Sequence, residues 1–105
     1  MRAGELRTRV EIQEPVRIGS GTGGRTEWRT VAPAWAAVKP IRSTDRTDDG
    51  HFQAVRLARV TIRYRQGVKS KMRVVIGARV LEIVSVIDVD EQHRQLDLLC
   101  EERGV

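Results

Sequence analysis

Apolar and polar residues alternate along most of the second half of the chain. A period of two is typical of a strand with one buried face, and the abundance of β-branched side chains favours the same interpretation. Short turns, one of them Gly77-Ala78, separate four such segments, which are 59–65, 72–76, 79–89 and 96–101. The pattern predicts four strands in an antiparallel meander, whose buried face the first half of the chain has to cover.

The first half of the chain shows the same period in an opening strand. Apolar residues alternate with charged ones from residue 6 to residue 13, and Pro15 ends the run. Residues 27–30 and 34–39 predict two further extended pieces, interrupted at Pro33. Because both faces of residues 34–39 carry apolar side chains, we expect this strand to be covered on both sides.

Together the segments predict a mainly β fold: a small antiparallel β-barrel or sandwich of about six to seven strands, with two long loops and one short helix. Trp28 and Trp35 are expected to anchor the core, since aromatic residues in strands contribute large buried areas. The predicted core consists of the inward side chains of Val10, Ile12, Trp35, Val38, Val60, Ile62, Tyr64, Ile83, Leu96 and Leu98.

Two segments interrupt the strand pattern and are expected to form the two long surface loops. Residues 16–26 contain four glycines, a composition that favours a mobile loop. Residues 43–50 are polar, and Ser43 or Thr47 could cap a short helix with Asp48 and Asp49 in its first turn. Long excursions on a small rigid domain often carry function.

The glycine segment, residues 19–24, also has the spacing of a dinucleotide-binding motif. That motif needs a helix to follow, because the amino terminus of the helix holds the phosphates. Residues 25–31 instead have the character of a strand. The favoured interpretation is therefore a flexible hairpin tip rather than a nucleotide site.

The composition is that of one folded domain spanning residues 1–105, with 40% hydrophobic and 31% charged residues. The longest apolar run, residues 31–38, is too short to cross a bilayer, and residues 1–5 are followed by no apolar signal core. We therefore expect synthesis in a cytoplasm. The net charge of +5 permits contact with nucleic acid or an acidic partner, although its arginines are scattered singly.

The sequence shows no pattern of residues that predicts catalysis or metal binding. Cys100 is the only cysteine and is expected to be a small buried hydrophobe. His51 and His93 lie in separate predicted loops. The acidic groups are better explained as turn or helix-start residues than as metal ligands; they are Asp45, Asp48, Asp49, Asp88, Asp90 and Glu91. We expect a binding or structural protein without a cofactor.

The order of the segments is more informative than any one of them. Along the chain the relevant segments are 6–15, Trp28, 34–40, 59–65, 72–74, 79–83 and 96–102. In order and spacing this series resembles the phage head-tail joining proteins, the head-closure or stopper family. The resemblance covers nearly the whole chain and gives no guidance only in the glycine segment and in residues 42–56.

The resemblance implies a β-barrel or sandwich that assembles into a ring, commonly a dodecamer. Such a ring lies between the portal and adaptor proteins and the first tail protein or tail terminator. It closes the filled head, retains the packaged double-stranded DNA and offers a docking surface to the tail. Proteins of this family occur in tailed phages, prophages and phage-derived gene transfer agents, so the implied location is the virion and not a membrane.

We expect the two long loops to carry the contacts between subunits and between rings, with one of them facing the channel. A ring forms when each subunit joins two different surfaces head to tail. The residues assigned to this interface are Gly19, Gly21, Gly24, Arg25, Arg42, Asp45, Arg46, Asp48, Asp49, His51 and Phe52. The alternative is a small β-barrel that binds single-stranded nucleic acid through its basic charge and through Trp28, Trp35 and Tyr64.

Overall fold

The computed structural model describes the backbone of residues 6–19, 21–48 and 51–104. Within these ranges, the side chains of residues 42–48, 51–55 and 103–104 lie outside the description. The described chain forms six strands, which are β1 (Thr8–Ile18), β2 (Arg25–Asp48), β3 (His51–Arg63), β4 (Arg73–Ile76), β5 (Arg79–Asp88) and β6 (Gln95–Gly104). The mainly β prediction is confirmed, because strands account for most of the described residues.

All neighbouring strands are antiparallel, and together they form a closed barrel in the order β1-β2-β3-β6-β5-β4. Closure depends on β4, which pairs with β1 through the register Ile12↔Val74. The predicted meander is correct for β4, β5 and β6 but wrong for β3, which pairs with β6 and not with β4. Residues 64–72 therefore cross from one side of the barrel to the other instead of forming a hairpin turn.

Side chains that point into the barrel form one continuous aliphatic core. Seven of the ten residues assigned to the core are almost completely buried: Val10, Ile12, Val60, Ile62, Ile83, Leu96 and Leu98. Val38 and Tyr64 are half-buried and pack against this cluster. Trp35 is an error of the prediction, because it lies on the outer face of β2 with 53% of its surface exposed, between the buried or half-buried Ala34 and Ala36.

Three register shifts bend the strands, and each leaves one aliphatic residue without a partner across the ladder. Val31 and Ile41 are the extra residues of β2, opposite β1 and β3 respectively, and Val84 is the extra residue of β5. All three side chains are exposed to a similar extent, 40–45%. Bulges increase the local twist and bend a strand, which helps a sheet close on itself.

The two predicted long loops are mostly strand. β1 continues to Ile18 and β2 starts at Arg25, so the glycine segment is only the short tip of a hairpin. The short helix predicted at residues 43–50 is wrong for residues 43–48, which belong to β2, while residues 49–50 lie outside the described part of the chain. Pairing with β3 along this segment decides its conformation, since it supplies a ladder of backbone hydrogen bonds that the local helix-start residues cannot match.

One bidentate ion pair fastens the end of β6 to the start of β5. The guanidinium of Arg79 donates from Nε to one carboxylate oxygen of Glu102 at 3.0 Å and from Nη2 to the other at 2.9 Å. This hydrogen bonding, together with the attraction of the charges, lowers the pKa of Glu102 and raises that of Arg79. The carboxylate side chain is 13% exposed, so solvent screens the pair less than a fully exposed one.

Replacement of Glu102 by Gln is expected to reduce stability in a pH-dependent way. The lowered pKa of Glu102 means that the pair stabilises the fold above the ordinary carboxyl pKa of about 4.3, and that this contribution is lost as the pH falls through the folded-state value. We expect the free energy of unfolding at pH 7 to fall by about 1 kcal/mol in E102Q, as measured by denaturant titration.

The matched control is Glu27→Gln, which removes an ion pair whose partners are both more than half exposed. Its effect on the free energy of unfolding should be smaller, because surface pairs contribute little. A difference between wild type and E102Q that stays constant into strong acid would contradict the assignment.

Candidate assembly interface

The first group of residues assigned to the interface lies at the tip of the β1–β2 hairpin. Gly19 and Gly21 adopt left-handed backbone conformations, with φ of 93° and 64°, which other residues rarely tolerate. A single 3₁₀ turn, Gly21–Gly23, leads directly into β2. Because a strand and not a helix follows, the tip lacks the helix amino terminus that a dinucleotide site uses.

Gly24 and Arg25 are held in place by their neighbours in the hairpin. A Cβ atom at Gly24 would lie 2.8 Å from the guanidinium of Arg17, so the side chain of Arg17 uses the space that glycine leaves. Arg25 forms an ion pair with Glu27 at 2.9 Å. Further along the same hairpin Arg29 pairs with Glu14. The hairpin thus neutralises several of its own charges.

The second group of residues lies at the other end of β2. The backbones of Arg42, Asp45, Arg46 and Asp48 belong to β2, and those of His51 and Phe52 to β3, where the hairpin closes with the pair Asp48↔His51. Asp49 lies outside the described residues. Since β2 begins in one hairpin and ends in the other, the structure does not bring the two groups together.

A groove lies on the outer face of the barrel where the β1–β2 hairpin passes β4 and β5. It encloses about 510 Å³ and is lined by Pro15, Trp28, Lys71, Arg73, Val80 and Glu82. Arg73 places its guanidinium 4.2 Å from the centre of the Trp28 ring and donates from Nε to Oε1 of Gln13 at 2.7 Å. Arg73 is therefore directed towards β1 and β2, although Glu82 is its register partner on β5.

Exposed large apolar residues among the described side chains fall on two strands that the sequence prediction did not single out. β2 carries Val31, Trp35 and Ile41, and β5 carries Val80, Val84 and Ile87. Two intervening strands separate β2 from β5 in either direction around the six-stranded barrel, so the two groups lie on opposite sides. Sequence offered only a weak signal for this, because both faces of residues 34–39 are apolar.

Charges on these two outer faces have opposite signs. We call the outer face of β2 with its flanks the basic face, which comprises Arg9, Trp35, Lys39, Arg59 and Arg63. The guanidinium of Arg9 lies 5.2 Å from the centre of the Trp35 ring. We call the outer face of β5 with its flank on β6 the acidic face, which comprises Val80, Glu82, Val84, Ile87, Asp97 and Glu101.

The remaining titratable groups form structural contacts. Cys100 is fully buried in the barrel, and burial raises the pKa of its thiol to about 12. His93 lies 2.6 Å from Asp88 and packs its ring against Tyr64. In the part of the chain that the structure describes, no three side chains of His, Cys, Asp or Glu converge as metal ligands would. Nor does that part contain a helix with the length and apolar character needed to cross a membrane.

Comparisons with known proteins identify this fold in a particular group. Residues 1–103 match the family of phage head completion proteins. A chain from the virion of a native gene transfer agent particle has the same fold, with a TM-score of 0.83, 23% identity, and coverage of 95% of this chain and 96% of that one. Protein SF1141 from Shigella flexneri 2a matches with a TM-score of 0.68 and 24% identity over 97% and 96% of the two chains. No curated protein matches the sequence.

The different exposure of the two tryptophans leads to a spectroscopic prediction. Trp28 is half-buried under Arg73, whereas Trp35 is 53% exposed. In the dilute free protein we expect acrylamide to quench the fluorescence of W28F, which retains Trp35, with a steeper concentration dependence than that of W35F, which retains Trp28. Equal slopes for the two variants would contradict an outward Trp35.

Proposed function

Because this chain belongs to the family of phage head completion proteins, we propose that it forms a head-closure (stopper) ring that joins the DNA-filled head to the tail. Family membership itself makes the protein a structural component of a phage-type particle. The ring, its position and its neighbours are our proposal. The observation that supports it most strongly is the pair of unlike outer faces on opposite sides of a closed barrel.

A ring needs two different surfaces on each subunit, joined head to tail until the rotation closes. The barrel interior is occupied by its own aliphatic core, and pairing of β1 with β4 leaves no unpaired strand edge in the barrel wall. Surfaces that remain for assembly are the outer faces and the two hairpins. The free edge that we expected from the sequence is restricted to the part of β1 after Gln13, which pairs only with β2.

We assign the contacts with neighbouring rings to the two hairpins at the ends of β2. They extend away from the barrel in the sequence order of one long strand, so one subunit can contact a partner at each end. The proposed partners are the portal or adaptor on one side and the first tail protein or tail terminator on the other. A gene transfer agent particle contains a chain of the same fold, which supports placing the ring in a phage-like particle.

We propose a ring of twelve copies, in keeping with the family resemblance, with double-stranded DNA passing through its channel. Tight binding of phosphates would hinder that passage, since each cation that neutralises a phosphate adds to the electrostatic affinity. The ion pairs of Arg25 with Glu27 and of Arg29 with Glu14 reduce the free positive charge of the first hairpin. A hairpin of this kind is suited to lining a channel without clamping DNA.

We assign the protein no catalytic activity. The resolved pKa shifts among the described residues belong to one ion pair, Arg79 with Glu102, and to the buried thiol of Cys100. The ion pair links two strands, and the thiol is enclosed by the core. Both roles are those of a structural protein.

Particles assembled without this protein test the proposed function directly. We expect DNA-filled heads that lose their DNA and tails that remain unattached, because the exit of the head is not closed. Electron microscopy and nuclease-protected DNA measure the two outcomes. Normal numbers of complete, DNA-retaining particles in the absence of the protein would refute the proposal.

A second experiment tests the role of the first hairpin. Residues 19–24 are replaced by Asn-Gly, a two-residue turn that preserves the register Ile18↔Arg25. We expect the variant to fold, as judged by circular dichroism, and the yield of infectious or transfer-competent particles to fall by about tenfold, the effect of losing one well-packed contact.

The matched control replaces Gly77-Ala78, the turn between β4 and β5, by the same Asn-Gly dipeptide. This turn is not assigned to an interface, so particle yield should be unchanged. Completion of particles at the normal level by the first variant would show that the hairpin tip has no role in assembly.

A further inference from the structure

Each outer face places two like charges directly opposite each other across neighbouring strands. Lys39 pairs with Arg59 across β2 and β3 on the basic face. Glu82 pairs with Glu101 across β5 and β6 on the acidic face. Like charges in directly opposite positions of a sheet are unfavourable. Each pair therefore gains when charges of the other sign approach it.

The apolar residues of the two faces have complementary shapes as well as complementary surroundings. Trp35 projects from the basic face with about half of its surface exposed. The groove beside Val80 and Glu82 opens on the opposite side of the barrel, next to the acidic face. Tryptophan and arginine are the side chains most often found at the centre of protein interfaces.

A second copy of this chain satisfies both faces with a single contact. Exposed aliphatic residues on the acidic face need a partner that excludes water, and the charges on that face call for cations. Single-stranded nucleic acid could use only the basic face and would leave Val80, Val84 and Ile87 exposed. A head-to-tail contact between copies covers the apolar residues of both faces and pairs their charges.

We propose that the basic face of one copy packs against the acidic face of the next, with Trp35 entering the groove beside Val80. This assignment rests on the proposed ring function and specifies which surfaces build the ring. Lys39 and Arg59 then lie near Glu82 and Glu101 of the neighbouring copy. Because the contact is heterologous, it propagates from subunit to subunit until the ring closes.

Cross-linking between two introduced cysteines tests this contact. The double variant K39C/V84C carries one thiol on each face and leaves Trp35 in place. The two positions lie on opposite sides of the barrel, so a short thiol-to-thiol bismaleimide can join them only between copies. Cys100 is fully buried and its raised pKa keeps the thiol protonated, so it adds no background.

Purified particles that carry the double variant are treated with the cross-linker, and the chain is detected by immunoblot. We expect a ladder of covalent oligomers for K39C/V84C and only monomers for each single variant. Adding W35A to the double variant should reduce the ladder by about tenfold, since truncation of a central interface residue weakens such contacts strongly. Retention of the fold by the triple variant is checked by circular dichroism, and Arg94→Ala, a change outside both faces, should leave the ladder intact.

The outcomes separate this inference from the proposed function. If the chain is present in complete particles but the double variant gives only monomers, or a single variant gives dimers, the face assignment is wrong while the ring role stands. If the chain does not associate with particles at all, the proposed function is wrong. Salt-dependent binding of an oligonucleotide that is lost in W35A, without any ladder, would assign the basic face to nucleic acid and overturn the inference.

Discussion

Pairing between β1 and β4 is the interaction on which the rest of the structure depends. It extends over a short register, from Glu11↔Val75 to Gln13↔Arg73, yet it converts an open sheet into a closed wall. An open sheet of six strands would expose two edges, and exposed edges pair readily with other chains. Closure removes that mode of association from the barrel. Association then has to use side chains, whose charge and shape permit a defined geometry.

The length of β2 follows from the same arrangement. This strand contributes to the wall through residues opposite β1 and β3 and extends beyond it at both ends. Its two bulges, at Val31 and Ile41, lie on either side of the central residues that flank Trp35. The extra residue at each bulge turns an aliphatic side chain outwards, so the features that shape the strand also contribute to its exposed apolar surface.

Much of this fold could be predicted from the sequence because the alternation of apolar residues records which face is buried. The pattern located the strands of the second half and most of the aliphatic core. It could not reveal that β3 pairs with β6, since pairing over a distance in sequence leaves no local signal. The helix predicted at 43–50 failed for a related reason: cap residues such as Ser43 and Thr47 indicate a local preference, which pairing with β3 overrides. Trp35 was misplaced because small alanines, and not the large ring, fill the interior on both sides of it. Interface residues assigned from loop composition stay a proposal, and the faces of β2 and β5 became visible only when exposure was known.

The enclosure of the single cysteine has a consequence for the life of a particle outside the cell. Thiolate is the form that reacts with oxidants and disulfides, and a pKa of about 12 leaves very little of it at neutral pH. Cys100 is in addition shielded on all sides by the barrel. The covalent structure of the protein is therefore indifferent to redox conditions, and a subunit folded among reducing thiols inside a bacterium remains the same molecule after release into air-saturated water.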